Sequence, residues 1–175
     1  VNSMGYSASG SYENKLTSHV SVANHLLYTG DEPIMFIDTA GCSFDEKLEG
    51  KSTTNIEEGA FLVKHLVDLI AQWEERKIGQ NFPSIAVISP YKQQAQLLKQ
   101  FINEAALPKN YRDRISVNTI DSFQGQERDI VYISLKRSNN EGTIGFQSDT
   151  RRMNVALTRT KKKLVVIGDS STLSK

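Results

Sequence analysis

The chain has 175 residues, of which 21 are basic and 20 acidic, for a net charge of +1 at pH 7. That length suits a single domain with its own core, and the balanced charge indicates that any nucleic-acid contact must come from local patches. The single cysteine, Cys42, excludes an internal disulfide, the three histidines show no metal-site spacing, and no apolar run reaches the ~18 residues of a membrane helix. We therefore expect a cytoplasmic α/β domain, or a nuclear one in a eukaryote, with no membrane partner.

The first part of the chain predicts one strand followed by a loop. Residues 1–11 are small and polar, and we expect either a disordered lead or, in part, a remnant left over from expression. The apolar run Ile34–Asp38 predicts a core strand, with Asp38 capping backbone groups at its end. The Asp-x-x-Gly pattern that starts there and the later run Gly50–Thr53 are similar to GTPase elements. A phosphate-binding loop needs a glycine where this chain has Asp45, so we expect a surface loop instead.

Two helices separated by a strand are predicted next. Asn55 and Glu58 form a capping-box pattern, and the helix that follows them buries a stripe of Leu62, Leu66, Leu69 and Trp73. The run Ile85–Ser89 predicts a second buried strand, and Pro90 suits the first position of the next helix. The buried face of that helix is predicted to comprise Tyr91, Ala95, Leu98, Ile102 and Ala105.

Three further apolar runs predict buried parallel strands: Ile115–Ile120, Asp129–Leu135 and Lys163–Gly168. The polar stretches between them, which end at Glu127 and Arg159, are expected near strand ends, where open α/β sheets bind their ligands. A loop is predicted over 136–148, and then a helix with a buried stripe of Met153, Ala156, Leu157 and Thr160.

Two arginines of this last helix are seven residues apart. At that spacing Arg152 and Arg159 lie nearly one above the other on the flank of the buried stripe, free to point along one side. The basic run Lys161–Lys163 is expected at the C-terminal end of the helix, where cations are favoured by the helix dipole.

The two polar stretches resemble motifs of a known family. Thr119–Glu127 (TIDSFQGQE) is similar to the fifth motif of superfamily 1 helicases, and Arg152–Arg159 (RMNVALTR) is similar to the sixth. The match favours the branch that contains the nonsense-mediated-decay helicase and the immunoglobulin-mu-binding helicase. Ser89–Gln94 (SPYKQQ) is similar to that family's Thr-Pro-Tyr-x-x-Gln motif, and the resemblance extends over roughly Tyr12–Leu173.

The resemblance implies a fold, and it implies that catalytic groups are divided between this domain and a first domain. It implies an α/β fold, a three-layer RecA-like domain of the P-loop NTPase kind, with a mostly parallel sheet and helices on both faces. Residues 12–175 would be the C-terminal RecA-like domain of a larger protein. The sequence lacks the Walker A pattern and the Asp-Glu pair that bind Mg²⁺ and phosphate in the first domain. ATP and Mg²⁺ are therefore expected in the full-length protein, with none bound to this fragment alone.

The resemblance also assigns roles to individual residues. Arg159 would be the catalytic arginine finger that meets the γ-phosphoryl group. The residues implied for the nucleotide are Gln124, Gly125, Glu127 and Arg152. Those implied for the nucleic-acid backbone are Ser89, Pro90, Tyr91 and Thr119. No residue is predicted to bind a metal, and the expected partners are single-stranded DNA or RNA and the first RecA-like domain of the same polypeptide.

Other interpretations of these residues remain open. Glu127 with the two charged residues after it could be a solvated charge cluster, and the basic residues from Arg151 to Lys163 could be an ordinary exposed face. Ser89 and Tyr91 could serve only to frame a turn. The alternative function is a non-catalytic module that binds nucleic acid or protein on the same fold.

Overall fold

The computed structural model describes residues 27, 30–49, 52–76, 82–123, 125–136 and 146–172. Its strands are β1 (Ile34–Asp38), β2 (Lys47–Glu49), β3 (Ser52–Thr54), β4 (Ile85–Ser89), β5 (Ile115–Thr119), β6 (Arg128–Ser134) and β7 (Thr160–Gly168). Its α-helices are α1 (Ile56–Arg76), α2 (Lys92–Glu104), α3 (Lys109–Arg112) and α4 (Phe146–Thr158). Short 3₁₀ turns span Asp121–Phe123 and Ser170–Thr172. The expected lead over residues 1–11 lies outside the described residues.

Five strands form one sheet in the order β1-β7-β6-β4-β5, and every neighbouring pair is parallel. Strands β2 and β3 form a separate antiparallel hairpin. Because all five strands point the same way, their carboxyl ends share one edge of the sheet and their amino ends share the other. We call these the carboxyl edge and the amino edge.

Alternation along the strands produces two apolar layers. Val87, Tyr132 and Val165 face one side, where they pack with the buried stripes of α1 and α2. Side chains one position later in the register, such as Ile88 and Val166, face the other side and pack against α4 and the chain after β5. The fold is therefore the predicted three-layer RecA-like domain, with a parallel sheet and helices on both faces.

Helix α2 begins later than the sequence predicts. Pro90 precedes the helix, and Tyr91 is the N-cap residue in an extended conformation, with φ −112° and ψ 126°. Ser89 Oγ accepts a hydrogen bond of 3.3 Å from the Tyr91 backbone N–H, which favours a turn at this point. The prediction of Pro90 as the first helical residue, with Tyr91 on the buried face, was wrong by two positions.

Helix α4 ends earlier than predicted, and the basic run after it belongs to β7. Thr160 pairs with Arg128 at the start of β6, and its hydroxyl donates to the Ala156 carbonyl at 2.7 Å, so the chain leaves the helix here. Lys163 is predicted both in the basic run at the helix end and as the first residue of the strand Lys163–Gly168, and only the strand prediction is confirmed. It is buried in β7, where its ammonium binds Asp31 Oδ1 at 2.6 Å and the Glu32 carbonyl at 2.8 Å. Helix periodicity could not reveal this partner, which lies far away in the sequence.

The pairing of β1 with β7 is held at both ends. At the amino edge the buried ion pair Lys163–Asp31 links β7 to the residues before β1. At the carboxyl edge Asp38 accepts hydrogen bonds from the Ser170 backbone N–H at 3.0 Å and from the Ser170 hydroxyl at 2.6 Å. Asp38 also accepts the Ala40 N–H at 2.9 Å, which confirms its predicted role in capping the end of the strand.

Candidate functional site

The carboxyl edge contains a buried polar cluster, which we call the carboxyl-edge network: Asn55, Glu58, Gln94, Ser134 and Lys136. Glu58 Oε1 accepts hydrogen bonds from the Ser134 hydroxyl and, at 2.8 Å, from the Lys136 backbone N–H. Gln94 joins α2 to the start of α1, because its side chain accepts the Asn55 N–H and donates to the Asn55 carbonyl, both at 2.9 Å. Gln94 also donates to Ser134 at 3.2 Å.

The capping box predicted at the start of α1 is half confirmed. Asn55 Oδ1 accepts the Glu58 N–H at 2.9 Å, as an N-cap residue should. The Glu58 carboxylate does not accept a hydrogen bond from the Asn55 N–H, because that N–H donates to the Gln94 side chain. The carboxylate instead accepts hydrogen bonds from Ser134 in β6 and from Lys136 directly after it. The sequence pattern could not anticipate this exchange, because both partners come from other elements.

Burial dominates the chemistry of Glu58. The loss of solvent raises the pKa of its carboxyl to about 7, and the nearby charges of Glu46 and Asp169 act in the same direction. The hydrogen bonds from Ser134 and Lys136 oppose the shift and are outweighed. The second carboxyl oxygen, Oε2, is buried and has no hydrogen-bond partner among the described residues.

A cationic group surrounds Tyr91 at the same edge. Lys136 has a φ of +65°, and its ammonium donates to Thr53 Oγ1 at 2.7 Å and lies 4.1 Å from the centre of the Tyr91 ring. The Arg152 guanidinium lies 5.8 Å from the centre of the same ring. The structure therefore brings together Tyr91, predicted for nucleic acid, and Arg152, predicted for the nucleotide.

The other residues predicted for nucleic acid differ in exposure. Ser89 is completely buried and uses its hydroxyl in the turn before α2, whereas Pro90 and Tyr91 are half-buried. Thr119 is half-buried at the end of β5, and its hydroxyl forms a 2.8 Å hydrogen bond with Ser122. Pro90, Tyr91 and Thr119 thus offer side-chain surface at the carboxyl edge, while Ser89 offers none.

The remaining predicted residues lie toward the amino edge. Arg159 follows α4 and is half-buried, and its carbonyl accepts the Arg128 N–H at 3.0 Å. Glu127, directly before β6, is exposed, and Gly125 is exposed with a φ of +80°. Gln124 lies outside the described residues. Arg159 Nε is buried and has no hydrogen-bond partner among the residues that the structure describes.

The two polar stretches were both expected near the ligand-binding ends of strands, and this is only partly right. Thr119 is at a carboxyl end, but Glu127 and Arg159 precede the amino ends of β6 and β7. Helix α4 must run antiparallel to the strands to return the chain to the start of β7. The same geometry separates Arg152, beside Tyr91, from Arg159 at the opposite edge.

Comparison with known proteins places the chain in a family. The sequence model described as "AAA domain" matches residues 4–171. The chain belongs to this AAA domain family. The AAA domain is 35% identical to mouse DNA-binding protein SMUBP-2 over 98% of its length, and 33% identical to DNA polymerase alpha-associated DNA helicase A of Saccharomyces cerevisiae over 98%. It is 38% identical to Helicase sen1 of Schizosaccharomyces pombe over 70% of its length.

These relatives are much longer proteins, of which the AAA domain spans 17%, 26% and 7%, respectively. A solved structure titled as the C-terminal domain of a possible DNA helicase from a Lactobacillus strain, WCFS1, aligns with a TM-score of 0.50 and 15% identity. That alignment covers 95% of the AAA domain and 91% of the solved chain, and it supports the same fold. The family match and the helicase relatives support a helicase-related domain of superfamily 1, while its branch within that superfamily stays a prediction.

The described part of the chain lacks two kinds of feature. None of its helices has the length and apolar character needed to cross a membrane. Within the same residues, no three or more histidine, cysteine, aspartate or glutamate side chains are grouped so that they could hold a metal ion.

Sequence reasoning missed the carboxyl-edge network and the role of Gln94. Gln94 ends the Ser89–Gln94 run that resembles a helicase motif, so the signal was present, but a run of polar residues at a helix start is expected to be solvated. Lys136 was predicted to begin a loop, and nothing in the local sequence indicates that it is buried.

Proposed function

We propose that this AAA domain is the second RecA-like half of an ATP-dependent helicase acting on single-stranded DNA or RNA. In this proposal it belongs to the branch of the nonsense-mediated-decay and immunoglobulin-mu-binding helicases. The nucleotide lies between this domain and a first RecA-like domain of the same polypeptide. Arg159 stabilises negative charge on the transferring phosphoryl group.

The state of Arg159 carries the proposal. Arg159 is half-buried, and among the described residues it forms no ion pair, while its buried Nε has no acceptor. A buried guanidinium donor without an acceptor is costly in a finished structure, so it favours an anionic group supplied from outside the domain. A planar guanidinium suits phosphate oxygens, which accept two parallel hydrogen bonds from it.

The neighbouring residues fit a nucleotide in chemical type. Glu127 is exposed and can accept hydrogen bonds from ribose hydroxyls, and Gly125 has a positive φ and open space where a side chain would be. When bound, magnesium supplies charge neutralisation of the β- and γ-phosphates. In the proposal its ligands come from the first domain, and this domain contributes only cationic and hydrogen-bonding groups.

Nucleic acid is assigned to the carboxyl edge. Tyr91 offers a half-buried ring, and Lys136 and Arg152 place positive charge beside it. An aromatic ring with adjacent cations suits a stacked base and its phosphate. In this proposal Arg152 acts on the nucleic-acid side of the domain, beside Tyr91 and at the opposite edge from Arg159.

The test is steady-state ATP hydrolysis by the longer protein that contains this domain. Arg159→Ala is expected to lower kcat by roughly 10³ with little change in ATP affinity, because the charge acts in the transition state. Arg159→Lys is expected to restore little of the rate, since an ammonium cannot reproduce the planar fork. Arg151→Ala, at an exposed position of α4, the helix that Arg159 follows, is the matched control and should keep the wild-type rate.

Two outcomes would contradict the proposal. One is an Arg159→Ala protein that keeps its kcat and loses only stability. The other is ATP turnover by the AAA domain alone that depends on Arg159, since the proposal leaves the magnesium-binding groups in the first domain.

A further inference from the structure

A small cavity lies at the amino edge, and none of its lining residues has been assigned a role so far, although Arg128 connects it to the neighbouring Glu127 and Arg159. It has a volume of about 170 Å³ and is lined by Ser84, Asp113, Arg114, Ile115, Ser116 and Arg128. We call it the amino-edge pocket. Its walls come from the starts of β5 and β6 and the residue before β4. That volume can hold a few waters or one phosphate group.

Neutral groups hold both arginines of the amino-edge pocket. The Arg114 guanidinium donates to the Phe82 carbonyl at 2.9 Å. The Arg128 guanidinium donates to the Glu127 carbonyl at 2.8 Å and to Gln126 Oε1 at 3.0 Å. Both guanidiniums are therefore oriented by neutral groups, and in the described part of the chain neither is paired with a carboxylate.

The remaining polar groups of the pocket show which hydrogen-bond donors are available to a ligand. Ser116 Oγ is buried and has no hydrogen-bond partner among the described residues, so its hydroxyl is an unused donor. Ser84 already uses its hydroxyl and backbone N–H on the Asp129 carboxylate. Asp113 is the carboxylate among the lining residues, and it is exposed.

We propose that the amino-edge pocket binds a phosphate group, through the guanidiniums of Arg114 and Arg128 and the hydroxyl of Ser116. Oriented guanidiniums and a hydroxyl donor match the several acceptor oxygens of a phosphate. The phosphate comes from a nucleic-acid backbone or from a nucleotide. The inference goes beyond the proposed function and needs neither Arg159 nor a first domain.

The experiment is an NMR titration of the ¹⁵N-labelled chain with inorganic phosphate at neutral pH, with chloride adjusted to hold the ionic strength constant. The Nε–H signals of Arg114 and Arg128 are expected to shift together and saturate. Arg114→Gln and Arg128→Gln should each weaken phosphate binding by roughly tenfold, the loss of one charge-assisted contact. Ser116→Ala should weaken it less, and Asp113→Asn should strengthen it because a repelling charge is removed.

Lys99→Gln is the matched control, since Lys99 is an exposed cation on α2 outside the pocket. The dispersion of the backbone amide signals checks that each variant folds. If phosphate fails to saturate the arginine signals, or if Lys99→Gln weakens binding as much as Arg114→Gln, the contact is an adventitious ion only and the proposal is wrong.

Two further titrations identify the source of the phosphate. If the nucleic-acid backbone supplies it, Arg114→Gln should lower the salt dependence of oligothymidylate binding by about one phosphate contact. If a nucleotide supplies it, Arg114→Gln should weaken pyrophosphate binding and leave the oligonucleotide unaffected. If Arg114→Gln changes the binding of neither the oligonucleotide nor pyrophosphate, the proposal is wrong. A failed Arg159 test with intact phosphate binding would overturn the proposed function alone.

Discussion

The buried carboxylate of Glu58 at the carboxyl edge and three arginines at the amino edge differ in how their charge is used. At the carboxyl edge Glu58 is completely buried, and one of its oxygens accepts two hydrogen bonds from β6 and the residues after it. At the amino edge the guanidiniums of Arg114 and Arg128 are held by carbonyl and amide oxygens, and Arg159 keeps a buried donor without an acceptor among the described residues. The Glu58 arrangement serves the fold, and the three arginines leave charge available to a ligand. Each edge also holds charge of the other kind, because Lys136 and Arg152 lie at the carboxyl edge and the buried Lys163–Asp31 pair lies at the amino edge.

The largest stability effect is expected from Gln94→Ala, at the carboxyl edge. The substitution leaves the backbone N–H and carbonyl of Asn55 buried without their partner, and it opens a cavity beside Ser134. Urea unfolding should show a loss of about 3 kcal/mol. Gln96→Ala, at an exposed position of the same helix, should change stability by less than about 0.5 kcal/mol. Equal losses for the two variants would mean that the network does not hold the helices together.

Glu58→Gln tests the same edge through pH. The pKa of Glu58 is about 7 in the folded chain against 4.5 for an ordinary glutamate, so the folded state binds more protons between these values. The ionisation of Glu58 should therefore lower the free energy of unfolding as pH rises from about 4.5 to about 7, by at most about 3 kcal/mol. Glu58→Gln should remove this decline, which is read as the difference between the two unfolding curves at each pH.

The neighbouring Glu57→Gln variant is the control for the pH experiment. The pKa of Glu57 is lowered by backbone hydrogen bonding and by Lys47, and the residue is half-buried. The Glu57→Gln variant should show the same decline in the free energy of unfolding between about pH 5 and 7 as the wild-type chain. A decline that persists in Glu58→Gln would place the titrating group elsewhere.

Gly168→Ala probes the packing where β7 ends at the carboxyl edge. A Cβ atom there would lie 2.8 Å from Leu135 Cδ1 and 3.0 Å from Leu135 Cβ. Overpacking of this kind should cost about 1–3 kcal/mol in chemical unfolding. Gly125→Ala makes a useful contrast, because Gly125 has open space but a φ of +80°, so only backbone strain of about 1 kcal/mol is expected. A Gly168→Ala chain as stable as wild type would show that Leu135 can move aside.

The smallest stability effect is expected from Arg159→Ala in the isolated chain. If its charge is reserved for a ligand, its removal should change the unfolding free energy by less than about 0.5 kcal/mol. The same variant should have its large effect only on kcat in the longer protein. A loss of several kcal/mol in thermal or urea unfolding would assign Arg159 to the fold and remove the contrast between the edges.

The sequence predicts the layers of this fold well, and its polar contacts poorly. Alternating and helical apolar patterns correctly indicate the five strands of the main sheet and the helices α1, α2 and α4, because burial depends on local periodicity. The hairpin β2–β3 and the partners of Glu58 and Lys163 could not be predicted. Their hydrogen bonds join residues that are brought together only by the completed sheet.

The candidate site shows the same division. Motif resemblance selected Arg159, Glu127 and Gly125, and the structure leaves all three with exposed or half-buried surface. It also selected Ser89, which the structure buries completely. A motif records which residues occur together, but not which of them face outward. Arg114 and Ser116 belong to no motif, and only the packing of β4, β5 and β6 places them in one pocket.

The pairing of β1 with β7 has a consequence for how the chain acquires its structure. In the described sheet β1 has no partner other than β7, and the contacts at both ends of the pair join residues 132 positions apart. During synthesis β1 therefore cannot pair with β7 until nearly the whole domain has been made. Closing so long a loop is entropically expensive, so docking of β1 should be a late step in folding. Until then, β1 exposes an apolar edge to which chaperones or another unfinished chain can bind.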